Sequence, residues 1–207
     1  MQQLEIEVKF YVLKLAKIRT ALLQMGAQSQ GRAFENNLRF ENQAMHLAQN
    51  GAMLRLRQTQ GRNIITVKQH VEHEAGRTCK VFQEYETEVS DFDTARKIFG
   101  ILGYIPFQVY EKFRETLILP DAKICLDETP YGNFVEIEAD VEVIKQYTNM
   151  LELNWGHRIV LSYLEIFNML QVSAGLPFAT LTFNNFTNLR PKVTVESILP
   201  QLYAAVA

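Results

Sequence analysis

Seven residues near the amino terminus, Leu4-Glu5-Ile6-Glu7-Val8-Lys9-Phe10, alternate between apolar and charged side chains without a break. Successive side chains of a β-strand point to opposite faces, so Leu4, Ile6, Val8 and Phe10 share one face and Glu5, Glu7 and Lys9 the other. A half-buried strand with its charges in solvent satisfies that alternation. So does a strand of a closed sheet whose interior is charged and whose apolar exterior is covered by helices. What separates the two is whether later strands repeat the pattern with an equally dense, mixed set of charges.

They do. Met53 to Arg57 sets Leu54 and Leu56 against Arg55 and Arg57, and the turn Gln60-Gly61-Arg62-Asn63 leads into a hairpin partner, Ile64 to Gln69, in which Lys68 shares a face with Thr66. Cys79 to Val89 places Lys80, Phe82, Glu84, Glu86 and Glu88 together, and Val109 to Leu119 does the same for Lys112 and Arg114. A turn at Pro120-Asp121 opens the strand Lys123 to Glu128, with Cys125 and Asp127 on one side. After the turn Pro130-Tyr131-Gly132, Phe134 to Asp140 sets Glu136 and Glu138 against Val135 and Ile137. With Glu35 to Glu41, which carries Arg39, this makes about eight strands, enough to close a sheet and remove both edges.

Helical spacing interrupts the strands. Leu15, Ile18, Leu22 and Met25 predict a helix over 12–25 that stops at Gly26. A second begins at Asp91, with Ala95, Ile98 and Leu102 as its apolar stripe and Gly103 as its end; two more are expected over 142–153 and 160–171. Residues 91–127 loosely echo 12–57 in their order of helix, glycine and strands. Asn42 to Asn50 reads as a turn with a short helical piece, and 72–78 as a loop. The fold class expected is α+β, a closed eight-stranded antiparallel barrel with outer packing helices, over residues 1–170. Residues 171–207 then form an extension, with a helix from about Glu196 interrupted at Pro200. It either covers apolar surface or contacts a second copy in a homodimer.

Composition narrows the function. At 207 residues the chain supports one substantial core. A formal net charge of -2 gives no reason to expect a specific nucleic-acid partner, although it says nothing about a local basic channel. Cys79 and Cys125 make neither a disulfide scaffold nor a zinc cluster and read as packing residues. The amino terminus has no basic segment followed by an apolar run, and no apolar stretch reaches transmembrane length. The expectation is a cytoplasmic protein with no membrane partner.

If the charged faces point inward, one cavity holds two chemistries. Lys9, Arg39, Arg55, Arg57, Lys68, Lys80, Lys112 and Arg114 offer cationic donors, and arginine forks match phosphate oxygens. Glu5, Glu7, Asp127, Glu136 and Glu138 offer carboxylates, with Glu84, Glu86 and Glu88 as rim or local partners. Carboxylates at i and i+2 on a strand project in parallel and suit hard cations. The combination suits a polyphosphate bound with Mg²⁺ or Mn²⁺. The plainer account is a set of solvated faces joined by weak surface ion pairs. His46, His70, His73 and His157 have no compact metal-ligand spacing, and no phosphate-binding glycine loop is present.

The ordered series Glu5-Ile6-Glu7-Val8-Lys9, Leu54-Arg55-Leu56-Arg57, Thr66-Val67-Lys68, Glu84-Tyr85-Glu86, Lys112/Arg114, Asp127, Gly132 to Glu138 and Ser162-Tyr163-Leu164 resembles the CYTH family, also called triphosphate tunnel metalloenzymes. The resemblance covers roughly residues 1–170. It implies a tunnel in which Glu5, Glu7, Glu136 and Glu138 hold divalent cations with Asp127 nearby. Lys9 joins these glutamates in the catalytic set, and Lys9, Arg55, Arg57, Lys68, Lys112 and Arg114 hold a triphosphate. Glu41 stands where many members have Asp after two aromatic residues, and Arg158 is the one candidate for a terminal basic residue. The activities implied are metal-dependent hydrolysis of inorganic or small organic triphosphate, cyclisation of ATP as in class IV adenylyl cyclases, or polyphosphate binding without catalysis.

Overall fold

The alternation of the first strand is explained by what lies on either side of it. In the computed structural model, which describes residues 3–190 and 192–204, the chain runs through β1 (Gln3–Val12), α1 (Leu15–Gln24), β2 (Gln28–Glu41), α2 (His46–Gln49), β3 (Ala52–Thr59), β4 (Arg62–His70) and β5 (Lys80–Val89). It continues through α3 (Phe92–Ile101), β6 (Ile105–Ile118), β7 (Lys123–Thr129), β8 (Gly132–Glu138), α4 (Val141–Met150), α5 (Tyr163–Ala174), α6 (Phe183–Thr187) and α7 (Leu199–Ala204). The strands close into a barrel in the order β1-β5-β4-β3-β2-β6-β7-β8, every neighbour antiparallel. Each half of the barrel is a strand, a helix and three further strands, which gives the echo between 12–57 and 91–127 a topological basis.

β1 is the closing strand. It pairs with β5 on one side and β8 on the other, opposing Glu7 to both Lys80 and Glu138, and Lys9 to Glu136. Its outward residues Ile6, Val8 and Phe10 are buried against Ile18 and Leu22 of α1 and Ile144 of α4. Burial of a side chain of that size contributes about 1.5–3 kcal/mol, so the helices, and not a second sheet, stabilise the outside of the barrel. α1 starts three residues later than its spacing predicted because β1 keeps its ladder to Val12. Gly26, at φ +89°, turns the chain where a side chain would be strained.

Two long strands depart from expectation for a common reason. β2 begins at Gln28 and β6 at Ile105, both earlier than alternation alone indicated, because they pair with each other along nearly their whole length. α3 also turns differently. It buries Ala95 with Phe92 and Phe99 partly buried beside it, whereas Ile98 and Leu102 are exposed. The two phenylalanines supply more apolar area than the expected stripe, and Phe99 packs edge-on to Phe40 of β2 at 5.0 Å.

The carboxy-terminal segment packs on its own barrel. α5 opens with a capping box, Ser162 accepting from the Glu165 N–H and Glu165 from the Ser162 N–H. Beyond it, Leu181 bridges to β6 beside Tyr110, and Leu176, Phe186, Val195, Ile198 and Leu202 are buried with Tyr131, Phe134 and Phe167. A chain ending at Ala174 is therefore expected to lose at least about 5 kcal/mol, the sum of a few such burials after ordering entropy. Thermal unfolding would show this as a fall of roughly 10–20 °C, and an unchanged midpoint would mean that residues 175–204 only lie on the surface.

Candidate triphosphate site

Closing the sheet turns the charged faces inward. The barrel encloses a cavity of about 670 Å³, lined by Glu5, Glu7 and Lys9 of β1, Arg55 and Arg57 of β3, Lys68 of β4, Lys80 of β5, Lys112 and Arg114 of β6, and Glu136 of β8. Arg39, Glu84, Glu86, Lys123 and Glu165 also reach it. Nine Lys and Arg side chains face six Glu, so the cavity is cationic inside a chain whose net charge is -2. Solvated strand faces do not look like this: Lys9 is 1% exposed and Asp127 0%.

The charges pair in two arms. In the first, Lys68 pairs with Glu5 and lies 3.4 Å from Glu84, whose carboxylate is 3.9 Å from Arg55. In the second, Lys9 lies 3.3 Å from Glu136, Glu136 pairs with Arg114, and Arg114 holds Asp127 in a two-pronged contact at 2.7 and 2.5 Å. Lys112 Nζ, 3.0 Å from Asp127 Oδ2, continues this arm. Burial alone would raise the Glu136 pKa, but Arg114, Lys9 and Lys112 hold it well below the usual carboxylate range. Lys9 is likewise held above its ordinary value, because Glu7 and Glu136 outweigh its burial.

Glu5 behaves in the opposite way. Burial and the neighbouring Glu7, Glu84 and Glu138 carboxylates push it up to about 7, despite Lys68 beside it. Glu138 is also raised, mainly by burial, and pairs with Lys123. Burial would also raise Glu7, in the same corner, but Lys9, Lys68 and Lys80 instead hold it below the ordinary carboxylate value. All the donors of this corner are hard oxygens, so a divalent cation fits its chemistry. Among the described residues no three Asp, Glu, His or Cys side chains already stand in a cation-binding arrangement. Asp127, expected beside the cations, joins the glutamates only through Arg114. Its oxygens are taken by Arg114, Lys112 and the Tyr163 hydroxyl, at 2.7 Å, so it anchors cationic heads.

Several expected residues have other tasks. Arg39 reaches the cavity but is tied to Gln108 Oε1 at 2.9 Å. Glu88 pairs outside with Arg62. Glu41 accepts from the backbone N–H groups of Asn42, Leu47 and Ala48, which fixes the turn into α2. Arg158 is bound to the Thr78 and Trp155 carbonyls and stacks over Trp155. Both cysteines are free and buried. Four residues outside the expected set matter here: Lys123, Glu35, Tyr110 and Tyr163. Glu35 lies 3.2 Å from Arg57 and 3.8 Å from Lys112, joining Arg57 to the second arm. Burial would raise its pKa, yet Lys112, Arg57, Arg114 and Arg55 hold it at about 2. Lys123, Glu35 and Tyr110 obey the same alternation as their charged neighbours, and that parity was the signal for them.

The family model for the CYTH domain matches residues 3–173. The chain belongs to the CYTH family. It is 23% identical over 150 residues to a Methanocaldococcus jannaschii protein named "Putative adenylate cyclase", covering 72% of this chain and 84% of that one. Among solved structures it is similar to the PH1012 protein of Pyrococcus horikoshii OT3, with 26% identity, a TM-score of 0.66 and coverage of 78% of this chain and 98% of that one. A Hippeastrum protein named "Putative adenylyl cyclase HpAC1", whose structure is described as revealing a dominant triphosphatase activity, shares the fold at 14% identity and a TM-score of 0.56, covering 82% of this chain and 96% of that one. The CYTH match spans the whole barrel and ends within α5, leaving residues 174–207 outside it. None of the helices among the described residues is long and apolar enough to cross a membrane.

Proposed function

We propose that this CYTH protein is a divalent-metal-dependent triphosphatase acting on inorganic triphosphate or a small organic triphosphate. The observation that carries the reading is the cavity inside the barrel in which Arg55, Arg57, Lys68, Lys112 and Arg114 face the Glu5, Glu7 and Glu136 carboxylates, with Glu138 opposite Glu7 in the β1–β8 ladder. The description of the Hippeastrum relative is in line with it.

Arg55, Arg57, Lys68, Lys112 and Arg114 are each held by a carboxylate, so much of the interior charge is offset from within. Phosphate oxygens arriving at Lys68 compete with Glu5 and Glu84, and those arriving at Arg114 and Lys9 compete with Glu136. The carboxylates released in that exchange are the ones with the chemistry to hold a cation, so triphosphate and metal are expected to bind cooperatively. Bound to Glu5, Glu7, Glu136 and Glu138, Mg²⁺ or Mn²⁺ would supply charge neutralisation at phosphoryl oxygens and a more acidic water. The arginine forks orient the chain and offset the charge that develops on the transferred phosphoryl group. Hydrolysis adds water across one phosphoanhydride bond, giving orthophosphate and the shortened phosphate.

Incubation with inorganic triphosphate or ATP and Mg²⁺ or Mn²⁺ tests the reading through its products. Released orthophosphate supports it. Cyclic AMP with pyrophosphate would make the protein a cyclase, and tight binding without product would make it a polyphosphate-binding module. Glu138→Gln is expected to impair metal-supported turnover in a folded protein; an unchanged rate and metal dependence would remove Glu138 from the mechanism.

A further inference from the structure

Tyr110 is a neutral side chain among the cationic heads of the cavity wall that the charge pattern did not single out. It precedes Lys112 by two residues on β6 and so shares its inward face. Across the ladder it opposes Asn37 of β2, which in turn opposes Arg57 of β3. Asn37 ties these strands together: its Nδ2 donates to the Tyr110 carbonyl at 3.4 Å, and its Oδ1 accepts from Arg57 Nε at 3.0 Å. From outside, Leu181 donates to the Val109 carbonyl at 2.9 Å and accepts from the Glu111 N–H at 2.8 Å, clamping the backbone on both sides of Tyr110. The residue is therefore held in place by three elements, β2, β6 and the carboxy-terminal segment.

Its hydroxyl is only half used. The oxygen accepts a long hydrogen bond, 3.4 Å, from Arg55 Nη1, while no acceptor among the described residues takes the hydroxyl hydrogen. Arg55 Nε, in the same wall, is also buried without a partner. A buried donor with no acceptor is costly unless a ligand supplies one. Here the hydroxyl faces the cavity, and the groups around it are Arg55 and Arg57 of β3 and Lys112 of its own strand. Such a position calls for an anionic oxygen.

We infer that Tyr110 is a direct ligand of the triphosphate, its hydroxyl donating to a nonbridging phosphoryl oxygen held among Arg55, Arg57 and Lys112. The inference rests on the triphosphate reading of the site. It adds a neutral donor to a set otherwise made of cations, and a donor that does not move when the ion pairs exchange. Burial raises the pKa of this hydroxyl, but Arg55, Arg57 and Lys112 together bring it below its ordinary value, which makes it a stronger donor than an exposed tyrosine. The competing account is a core tyrosine that merely supports Arg55. That account predicts a loss of stability on removing the hydroxyl, with no specific loss of affinity.

Tyr110→Phe removes the hydroxyl and keeps the ring. Calorimetric titration with inorganic triphosphate in a chelating buffer, where hydrolysis does not intervene, is expected to give about a tenfold weaker affinity than the parent chain, the ordinary effect of deleting one hydrogen bond to a charged group. Turnover with Mg²⁺ should show the loss in KM at least as strongly as in kcat. Tyr147→Phe, which removes a hydroxyl bonded to Asp121 on the outside of the barrel, should leave affinity unchanged. Equal affinity of Tyr110→Phe and the parent would overturn the inference. If the parent neither binds triphosphate in this buffer nor turns it over with Mg²⁺ or Mn²⁺, the failure lies with the proposed function. Should Tyr110→Phe not fold, 3-fluorotyrosine at position 110 of the otherwise native chain gives a second test. Its ¹⁹F resonance is expected to shift on saturation with triphosphate, and a resonance that stays in place would count equally against the contact.

Discussion

Replacing Arg114 by leucine is expected to cost about 3–5 kcal/mol of folding stability, the usual penalty when one member of a buried ion pair is removed. The reason is the number of groups that depend on it. Arg114 contacts both oxygens of Asp127, which is fully buried, and also neutralises Glu136. Without the guanidinium, Asp127 keeps Lys112 and Tyr163, but Glu136 is left to Lys9 alone. Urea unfolding at neutral pH measures the loss. A double-mutant cycle with Glu136→Gln should recover a large part of it, because the second change removes the carboxylate that lost its closest partner. A loss below about 1 kcal/mol would place the pair with ordinary surface salt bridges and would reject the network as a stabilising unit.

Glu5→Gln is expected to act in opposite directions on activity and stability. The Glu5 carboxyl has a pKa of about 7 in the folded chain against an ordinary 4.5, because burial and the Glu7, Glu84 and Glu138 charges disfavour its ionised form. A folded-state pKa above the unfolded one means that stability is intact below pH 4.5 and is lost as pH rises through 7. At pH 8 in a metal-free buffer the glutamine variant should therefore be the more stable protein, by up to roughly 3 kcal/mol on the scale of 1.4 kcal/mol per pKa step. Its excess stability should vanish below pH 4.5, where the parent carboxyl is protonated in both states. Metal-dependent turnover should fall by about 10²-fold or more, since losses of up to that size follow even when only a group behind a metal ligand is changed. A variant that is no more stable at pH 8 would show that Lys68 compensates Glu5 fully.

Much of the site was legible because a closed sheet obeys one parity rule. Once β1 was read as Glu5/Glu7/Lys9 inward, the same rule assigned Arg55/Arg57, Lys112/Arg114 and Glu136/Glu138. The barrel then brings these together through the register between β1 and β8. Register itself was not legible. Nothing local in the sequence says that Glu7 lies opposite Glu138, because that pairing spans most of the domain. Asp127 illustrates the limit: its inward direction was readable, but its place behind Arg114, Lys112 and Tyr163 depends on where α5 docks. α3 illustrates another, since helical spacing admits more than one apolar stripe and the phenylalanines facing Phe40 decided which was buried. The role of the carboxy-terminal segment was undecidable from its Thr/Asn/Phe composition, because its anchor is a backbone bridge at Leu181.

The position of β1 in the barrel has a consequence for how the chain acquires its structure. β1 finds its partners only much later in the chain, at residues 80–84 and 133–138. Until the second of these is available, an alternating strand with one apolar face has an open edge, the arrangement most prone to pairing with another chain. Closure must also wait for a loop of more than a hundred residues to be brought together, which slows folding far more than it affects stability. Refolding is therefore expected to show an early phase in which β2, β3 and β4, neighbours both in sequence and in the sheet, gain protection from hydrogen exchange. A later phase should follow in which β1 and β8 become protected together. The catalytic interior would exist only after the second.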